Sequence, residues 1–427
     1  MTSLIVGVVL FNIIVSLLLS LAIVPILVWM ERRVAGFIQD RLGPNRCNIG
    51  GVRLGGLIQS FADMLKLVFK EDYTPESIKE KFFFMIAPVI VFATAYLTFM
   101  VIPFADDLEL GGKTFIMQAL PIDLGILWFL AFAGLGVYGL IIGGWASNNK
   151  YSLLGGIRAA AQVISYEATM GLAIISILIV YGSVNLGDMV RYQGGLLFGF
   201  IPAWGIVMQP LAAILFIITA FAETNRAPFD IAEGESEIVG GFHTEYSAMK
   251  FGLFFVGEYV AMAASSAIII TLFFGGYQIP WVNTSTLKEN FDIFLIFIAI
   301  VLPTLSFFFA RWIKKNNTWP QKDDSRNKEA GWLIKALIII NILVILAVLV
   351  GLVFGIGHDG ISMTVALVQL VTFIVKLFLM NFIFIWVRWT LPRFRYDQLQ
   401  DLGWRILLPL AMANILITGL FVVVLGD

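Results

Sequence analysis

Apolar runs of twenty or more residues recur from one end of this chain to the other, and nothing else in it restricts the fold so strongly. The first, Leu4 to Met30, contains no charged side chain. About 20 such residues in a helix cross a hydrocarbon layer roughly 30 Å thick. Inside that layer the backbone has no water to bond, so only helices and closed barrels span it. The runs are continuous rather than alternating, which selects helices over a barrel. Composition agrees, at 59% hydrophobic and 13% charged over 427 residues. The chain reads as an all-α polytopic membrane protein with about ten spans, near 4–30, 82–104, 122–146, 159–182, 203–222, 251–275, 291–313, 333–354, 364–388 and 402–425. The first span has no basic stretch before it and no small-residue cleavage site before Glu31, so it reads as a retained helix rather than a signal peptide.

The basic residues give an orientation. Of the 28 Lys and Arg, 24 fall in or at the edges of the segments after spans 1, 3, 5, 7 and 9. The segments after spans 2, 4, 6 and 8 hold three, Lys113, Arg191 and Lys288, and Lys376 lies inside span 9. Cytoplasmic loops carry the excess of basic residues. Both termini are therefore expected on the outer, periplasmic side, with the odd-numbered loops in the cytoplasm. A single missed or invented span would scramble this alternation.

Several chemistries lack their residues. One cysteine, Cys47, rules out an internal disulfide, a four-cysteine iron–sulfur cluster and a zinc ribbon within the chain. The two histidines, His243 and His358, lie outside the apolar runs, so a haem held between spans lacks its ligands. The stretch LGGKTF at 110–115 has Asp107 where a phosphate-binding loop needs its first glycine, and no strand precedes it. Any redox centre or nucleotide belongs to a partner, and no metal site is expected.

Charge is concentrated in the odd-numbered loops. In the first of these, Leu57, Ile58, Phe61, Met64, Leu65 and Val68 form one face of a helix, with Gln59, Asp63, Lys66 and Lys70 off it. Too short and too charged to span, that helix is expected to lie in the interface plane. The third, 223–250, carries Glu223, Asp230, Glu233, Glu235, Glu237 and Glu245 against Arg226 and Lys250. Aromatics, Pro and Gly are mixed with its acids, as in an ordered loop rather than a solvated linker. Carboxylates so close cannot all remain ionised when partly buried, which makes them material for a proton relay. Two more acids, Glu167 and Glu258, lie inside spans 4 and 6. A carboxylate there costs about 2.5–3.5 kcal/mol on insertion scales and marks a paired or functional group. Lys376 is expected to pair with an acid or to snorkel.

Five long blocks carry a resemblance: ERRVAGFIQDRLGPNR, FADMLKLVFKED, ASNNKYSLLGGIRAAAQVISYE, AETNRAPFDIAEGESEIVGGFHTEYSAMKFGLFFVGEY and WVRWTLPRFRYDQLQDLGWRILLPL. Through them the chain resembles the family of the H subunit of NADH-quinone oxidoreductase, respiratory complex I, over roughly 1–280 and 364–427. The resemblance implies a component of the bacterial inner membrane that anchors the hydrophilic arm and forms part of a quinone tunnel. Peripheral iron–sulfur and quinone-site subunits complete that tunnel. Other expected partners are small membrane subunits, antiporter-like subunits and lipid, with no nucleic acid. Quinone is the implied substrate at a shared site, and FMN and iron–sulfur clusters are expected on partner subunits. The implied acidic path is Asp63, Glu167, Glu223, Glu233, Glu235, Glu237, Glu245 and Glu258. Arg32, Arg41, Lys66, Arg226, Phe254 and Phe255 would line or shape the tunnel and its junction. Reduction of a quinone changes local charge by one or two units. Unit charges 4 Å apart interact by about 4 kcal/mol at an effective dielectric near 20, enough to move a neighbour's protonation.

The chain departs from the family plan twice. Ala232 stands where proline is usual before the EGESE run. The 281–363 region adds two spans, with a charged joining segment, and reads as a lateral packing surface for a neighbouring subunit or lipid. The domain plan is thus a 1–280 core, a 281–363 insert and a 364–427 terminal pair. The rival readings are the homologous component of a ferredoxin- or F420H2-driven dehydrogenase or membrane-bound hydrogenase, and a stand-alone ion transporter. Clustering in an ordered acidic loop predicts that Glu235→Gln and Glu237→Gln each lower quinone reductase activity severalfold in membranes where the complex is intact. Wild-type rates in both would return the loop to a solvated role.

Overall fold

A computed structural model describes residues 2–50, 52–231, 240–316 and 325–425. They form a helical bundle with two short β-hairpins. The elements in order are α1 (Thr2–Leu17), α2 (Ile23–Ile38), α3 (Ile58–Phe69), α4 (Lys81–Phe99), α5 (Gly125–Ala146), α6 (Lys150–Tyr181), α7 (Leu186–Tyr192), α8 (Gly205–Met208), α9 (Pro210–Glu223), α10 (Ala248–Phe273), α11 (Thr284–Glu289), α12 (Phe291–Asn316), α13 (Ser325–Phe354), α14 (His358–Thr390), α15 (Tyr396–Asp401) and α16 (Leu408–Leu425). A π-helical turn at Leu18–Ala22 joins α1 to α2, and another at Leu402–Leu407 joins α15 to α16. Each lies just before a proline, Pro25 or Pro409, whose missing N–H frees a carbonyl one turn earlier.

Among the described residues, nine helical segments are long and apolar enough to cross a membrane. The expected fifth span is the exception. It is the 14-residue α9, about 21 Å at 1.5 Å per residue, preceded by the single turn of α8. Pro210 starts α9, and Gln209 before it is non-helical. Such a break inside a bundle is tolerable only where protein surrounds it. Here it does. Gln209 bonds Thr418 (3.0 Å) and Asn414 (3.2 Å) on α16, and Ala212, Ala213, Leu215 and Phe216 are fully buried.

The centre of the bundle is α10, 78% of whose apolar window is buried. Packed against it are α4, α14 and α3, with α5 and α6 completing one side and α9 and α16 the other side of α6. At the opposite extreme α12 and α13 pair with each other and bury only 6% of their windows. On α3, the stripe Phe61, Met64, Leu65 and Val68 is exposed, as an interfacial helix requires, while Ile58 and Ser60 face inward.

The loops meet in two separate sets, and the sets are those of the Lys/Arg count. At one end, Glu31 meets Arg226 and Arg388, Asp230 meets Arg393, Lys250 meets Asp72, and Glu329 accepts from the Arg53 backbone N–H. At the other end, Arg191 binds Asp106 (3.0 Å), Asp107 (2.7 Å) and Asp188 (3.0 Å), and Lys288 binds Glu109 (3.1 Å). The sparse charges there are a clasp rather than bare loops. Burial pushes the Asp106 carboxyl up, but hydrogen bonds from Thr284, Arg191 and the Asp107 N–H outweigh it and hold the group below its ordinary value.

A buried amide and a half-buried amine close this second end. Lys376, inside α14, donates to the carbonyls of Phe274 (2.8 Å), Gly276 (2.9 Å) and Gln278 (2.6 Å) and sits over the Trp204 ring. It thus caps the end of α10, where a cation also faces the negative end of the helix dipole. This replaces the expected acid pair or snorkelling. Gln193 donates to the carbonyls of Met189 (3.2 Å) and Thr271 (2.7 Å) and accepts from the N–H groups of Gly205 (3.2 Å) and Gly275 (2.9 Å). One amide therefore joins α7, α8 and α10. Gln193→Leu keeps the volume but leaves two buried N–H groups and two carbonyls without that partner. It is expected to lower stability by roughly 2–4 kcal/mol, read as a lower melting midpoint of the solubilised protein.

Candidate functional site

The loop-rich end holds a buried ionic node. Glu31, one residue beyond the first apolar run, is only 7% exposed. Its carboxylate accepts from Arg388 (2.7 Å), Arg226 (3.3 Å) and the Tyr259 hydroxyl (2.6 Å), and the Arg226 guanidinium lies 4.1 Å from the centre of the Tyr259 ring. Four segments converge here: α2, the loop after α9, α10 and α14. A buried carboxylate needs this density of donors, because a single partner would leave its remaining lone pairs dry. Beside the node, Arg32 pairs with Asp63, so the next residue of α2 binds α3.

A second feature adjoins it. A cavity of about 70 Å³, mostly apolar in its wall but carrying a polar cluster, is bounded by α4, α5, α6, α9 and α10; the cluster includes Thr94, Thr98, Glu223, Asn225, Glu258 and Ser265. That volume accommodates several waters in a site with enough polar partners to hold them. Glu223 Oε2 is buried with no hydrogen-bond partner among the described residues. Glu167 lies within electrostatic reach of Glu223. It also presses against Gly134, where an added Cβ would stand 2.6 Å from its Oε1, so α5 has glycine at the place the carboxylate occupies. Gln162 draws α6 onto the end of α9 by donating to the Ala222 carbonyl (2.6 Å) and Asn225 Oδ1 (3.2 Å).

Between node and cavity is a smaller void lined by Phe242, His243, Phe251, Phe254, Phe255, Glu258 and Arg388. Two of its lining residues belong to neighbouring features. Glu258 also lines the polar cavity, and Arg388 also binds Glu31. Phe254 is buried edge-on against Phe242 and Tyr246, and Phe255 stands edge-on to Tyr259. Node, void and cavity are therefore linked through shared residues, Arg388 between the first two and Glu258 between the last two, with Glu167 beside Glu223.

The structure thus gathers Glu167, Glu223, Glu258, Arg226, Phe254 and Phe255, and sets Arg32 with Asp63 alongside. Glu245 lies apart: it accepts from Asn149 (2.7 Å), the residue that caps the start of α6. Arg41 is exposed and donates to Gln39, and Lys66 is on the exposed side of α3, so neither joins the cluster. Glu233, Glu235 and Glu237 lie outside the described residues. Sequence reasoning passed over Glu31, Tyr259 and Arg388. A signal existed for two of them. Glu31 is an acid at the mouth of a span among arginines, and Arg388 is a cation in the last turn of another.

Fold and site together define a polytopic helical membrane protein with ionisable residues in its interior. The family model for NADH dehydrogenase matches residues 11–320 and 331–419, a range that takes in α12 and most of α13. The chain is 39% identical to the H subunit of NADH-quinone oxidoreductase from Bdellovibrio bacteriovorus, over 96% of this chain and 94% of that one. It is 39% identical to the H subunit from Flavobacterium psychrophilum, over 92% and 90%, and 38% identical to NADH-quinone oxidoreductase subunit 8 of Rhodothermus marinus, over 96% and 95%. The chain belongs to the H-subunit family of NADH-quinone oxidoreductase.

The node makes its own prediction. Glu31→Gln removes the buried carboxylate charge that Arg226 and Arg388 share, a loss expected to cost about 3–5 kcal/mol. Tyr259→Phe removes one hydrogen bond and is expected to cost about 1–3 kcal/mol. The amount of assembled protein in membranes should fall in both, with Glu31→Gln far the lower.

Proposed function

We propose that this chain is the membrane subunit of a proton-pumping NADH-quinone oxidoreductase, and that its interior carboxylates couple quinone reduction to proton translocation. In this reading the loop-rich end faces the cytoplasm of a bacterial inner membrane, where 24 of the 28 basic residues would lie. Electrons arrive from flavin and iron–sulfur carriers on partner subunits. The chain itself contributes a wall of the quinone tunnel, around Arg32, Arg226, Phe254 and Phe255, and the first carboxylates of the proton path.

The observation that carries the proposal is the position of Glu258. It lines both the aromatic void that holds Arg388 and the polar cavity that holds Glu223. Negative charge arriving on a quinone near the node pulls on Arg226 and Arg388. Both are shared with Glu31, so the pull redistributes among the three groups and reaches the void that Glu258 lines. At an effective dielectric near 20 one unit of charge at 4 Å is worth about 4 kcal/mol, roughly three pKa units at a neighbouring carboxyl. Glu258 takes up a proton and passes it through cavity waters to Glu223 and on towards Glu167. The hydroxyls of Thr94, Thr98 and Ser265 line the same cavity and orient its waters. Phenylalanine rings on the node side keep the void dry, so the proton moves inward rather than leaking back.

Titration and position can be separated by two substitutions. Glu258→Gln keeps the shape and hydrogen-bonding capacity but cannot titrate. Glu258→Asp titrates from a point about one methylene short. Proton pumping and coupled quinone reduction are expected to fall at least tenfold together in Glu258→Gln and to survive in part in Glu258→Asp, measured in the same assembled complex. The reverse order, with Gln the milder change, would show that Glu258 serves the packing of α10 and would overturn the relay.

A further inference from the structure

The peripheral pair α12–α13 meets the rest of the protein at both of its ends. At one end Phe291 and Leu295 of α12, Val348 of α13, Leu287 of α11 and Val365 of α14 form one buried apolar cluster. At the other end Glu329 of α13 accepts a hydrogen bond from the Arg53 backbone N–H, in the loop between α2 and α3. From Val348 back to Glu329 is about 29 Å along the helix at 1.5 Å per residue. Glu329 is half-buried, although the apolar windows of the pair are only 6% buried. Between the two ends Ser306 of α12 donates to Asn341 of α13 (3.2 Å), which ties the helices to each other. One end of α13 is therefore seated against α14, and the other reaches a loop of the core.

That loop needs an outside hold. Leu54, Gly55 and Gly56 follow one another at φ of 47°, 62° and 97°. A left-handed leucine is costly, and such backbone persists only where its surroundings enforce it. One side of the hold comes from α2, where Trp29 Nε1 (3.1 Å) and Arg33 Nε (3.1 Å) both donate to the Gly55 carbonyl. Pro44 backs the turn so closely that a Cβ on Gly56 would overlap its carbonyl oxygen. Glu329 holds the other side, at the residue that opens the turn. The turn feeds directly into α3: the Gly56 N–H donates to the Arg53 carbonyl (2.9 Å), and α3 starts at Ile58. Asp63 of α3 pairs with Arg32. Leu67 of α3 packs on α10 at Gly252, where an added Cβ would lie 3.3 Å from its Cδ1, two residues before Phe254.

We propose that Glu329 is a positioning residue for quinone reduction: through the Arg53 N–H it fixes the turn before α3, and so the place of α3 against Arg32 and the Phe254 end of α10. The inference rests on the reading above in which those residues wall the quinone site. The pair α12–α13 acts as a strut, braced on α14 at one end so that Glu329 can hold the turn at the other. The donor is a neutral N–H, so what matters at residue 329 is an acceptor oxygen at the right place rather than a negative charge. Losing it frees the turn without touching the residues around which electrons and protons move. Quinone binding should therefore weaken while the rate at saturation stays.

The test uses the intact complex in nanodiscs, with amide hydrogen exchange read by mass spectrometry and quinone reduction measured on the same samples. The wild-type complex is assayed first with decylubiquinone and with its naphthoquinone counterpart. Reduction of neither would overturn the quinone reading itself, whatever Glu329 does. With the quinone that is reduced, Glu329→Ala is expected to speed exchange across 52–57 roughly tenfold to a hundredfold. KM should rise roughly threefold to tenfold with kcat unchanged per assembled complex. Glu329→Gln keeps an acceptor oxygen and should recover most of both effects. Lys328→Ala, at the exposed neighbouring residue, should move neither. Unchanged exchange in Glu329→Ala, faster exchange with KM unmoved, a fall in kcat in place of the rise in KM, Glu329→Gln as damaging as Glu329→Ala, or the same effects from Lys328→Ala would each overturn the proposal.

Discussion

A carboxylate buried in a helical bundle must be given its hydrogen bonds by the bundle itself, and the way Glu31 obtains them organises this structure. Its partners come from the loop after α9, from α10 and from α14. They are separated from it in sequence by 195 residues or more. Satisfying one charge thus closes α10 and α14 onto α2. Bare apolar helices have little to choose among neighbours in lipid, because lipid tails are as apolar as leucine. A shared buried charge supplies the register that dispersion alone does not, and two arginines are required because one would leave the group incompletely satisfied.

From this node the acids divide into two kinds. Glu31, Asp63 and Asp230 are engaged by Arg226 and Arg388, by Arg32 and by Arg393 respectively. Carboxylates held by guanidinium groups are tied to fixed partners by charge-assisted hydrogen bonds. Glu223 and Glu258 line a cavity, and Glu167 lies beside Glu223. The first kind fixes geometry, and the second is the one to which the proposed relay assigns the proton. The border between them falls at Glu258, which shares the aromatic void with Arg388 and the polar cavity with Glu223. A relay needs such a border. Without locked charges, a new charge nearby would be absorbed by local rearrangement. Without titratable ones, it would move no proton.

The opposite end uses the same physics for a static purpose. Arg191 collects three aspartates, Lys376 caps the carbonyls beyond α10, and Gln193 bonds four backbone groups. These contacts hold the far ends of α7, α10 and α14 in place. Meanwhile α12 and α13 bury little of their length in the bundle, which leaves their long faces to lipid.

Much of the fold is legible in the sequence because hydropathy is a local property. A run of apolar residues is a span wherever it falls, and nine such segments among the described residues overlap the expected positions. The division of loops into two sets is legible for the same reason, since each Lys or Arg contributes independently. Family membership is legible because long motif blocks survive in order. The short α9 was not, for its 14 residues are as apolar as a full span and only its burial behind α16 and α6 excuses the break at Gln209. Nor could the sequence say which acids are paired. Glu31 and Glu258 are the same residue type, one at the end of an apolar run and the other inside one. One became an arginine-bound anchor and the other a cavity carboxylate because of groups far away along the chain. Lys376 took carbonyls rather than an acid on the same grounds. Hydropathy, charge count and motif are sums over neighbours in the chain. Pairing, burial and cavities depend on neighbours in space, and those exist only once the helices have packed.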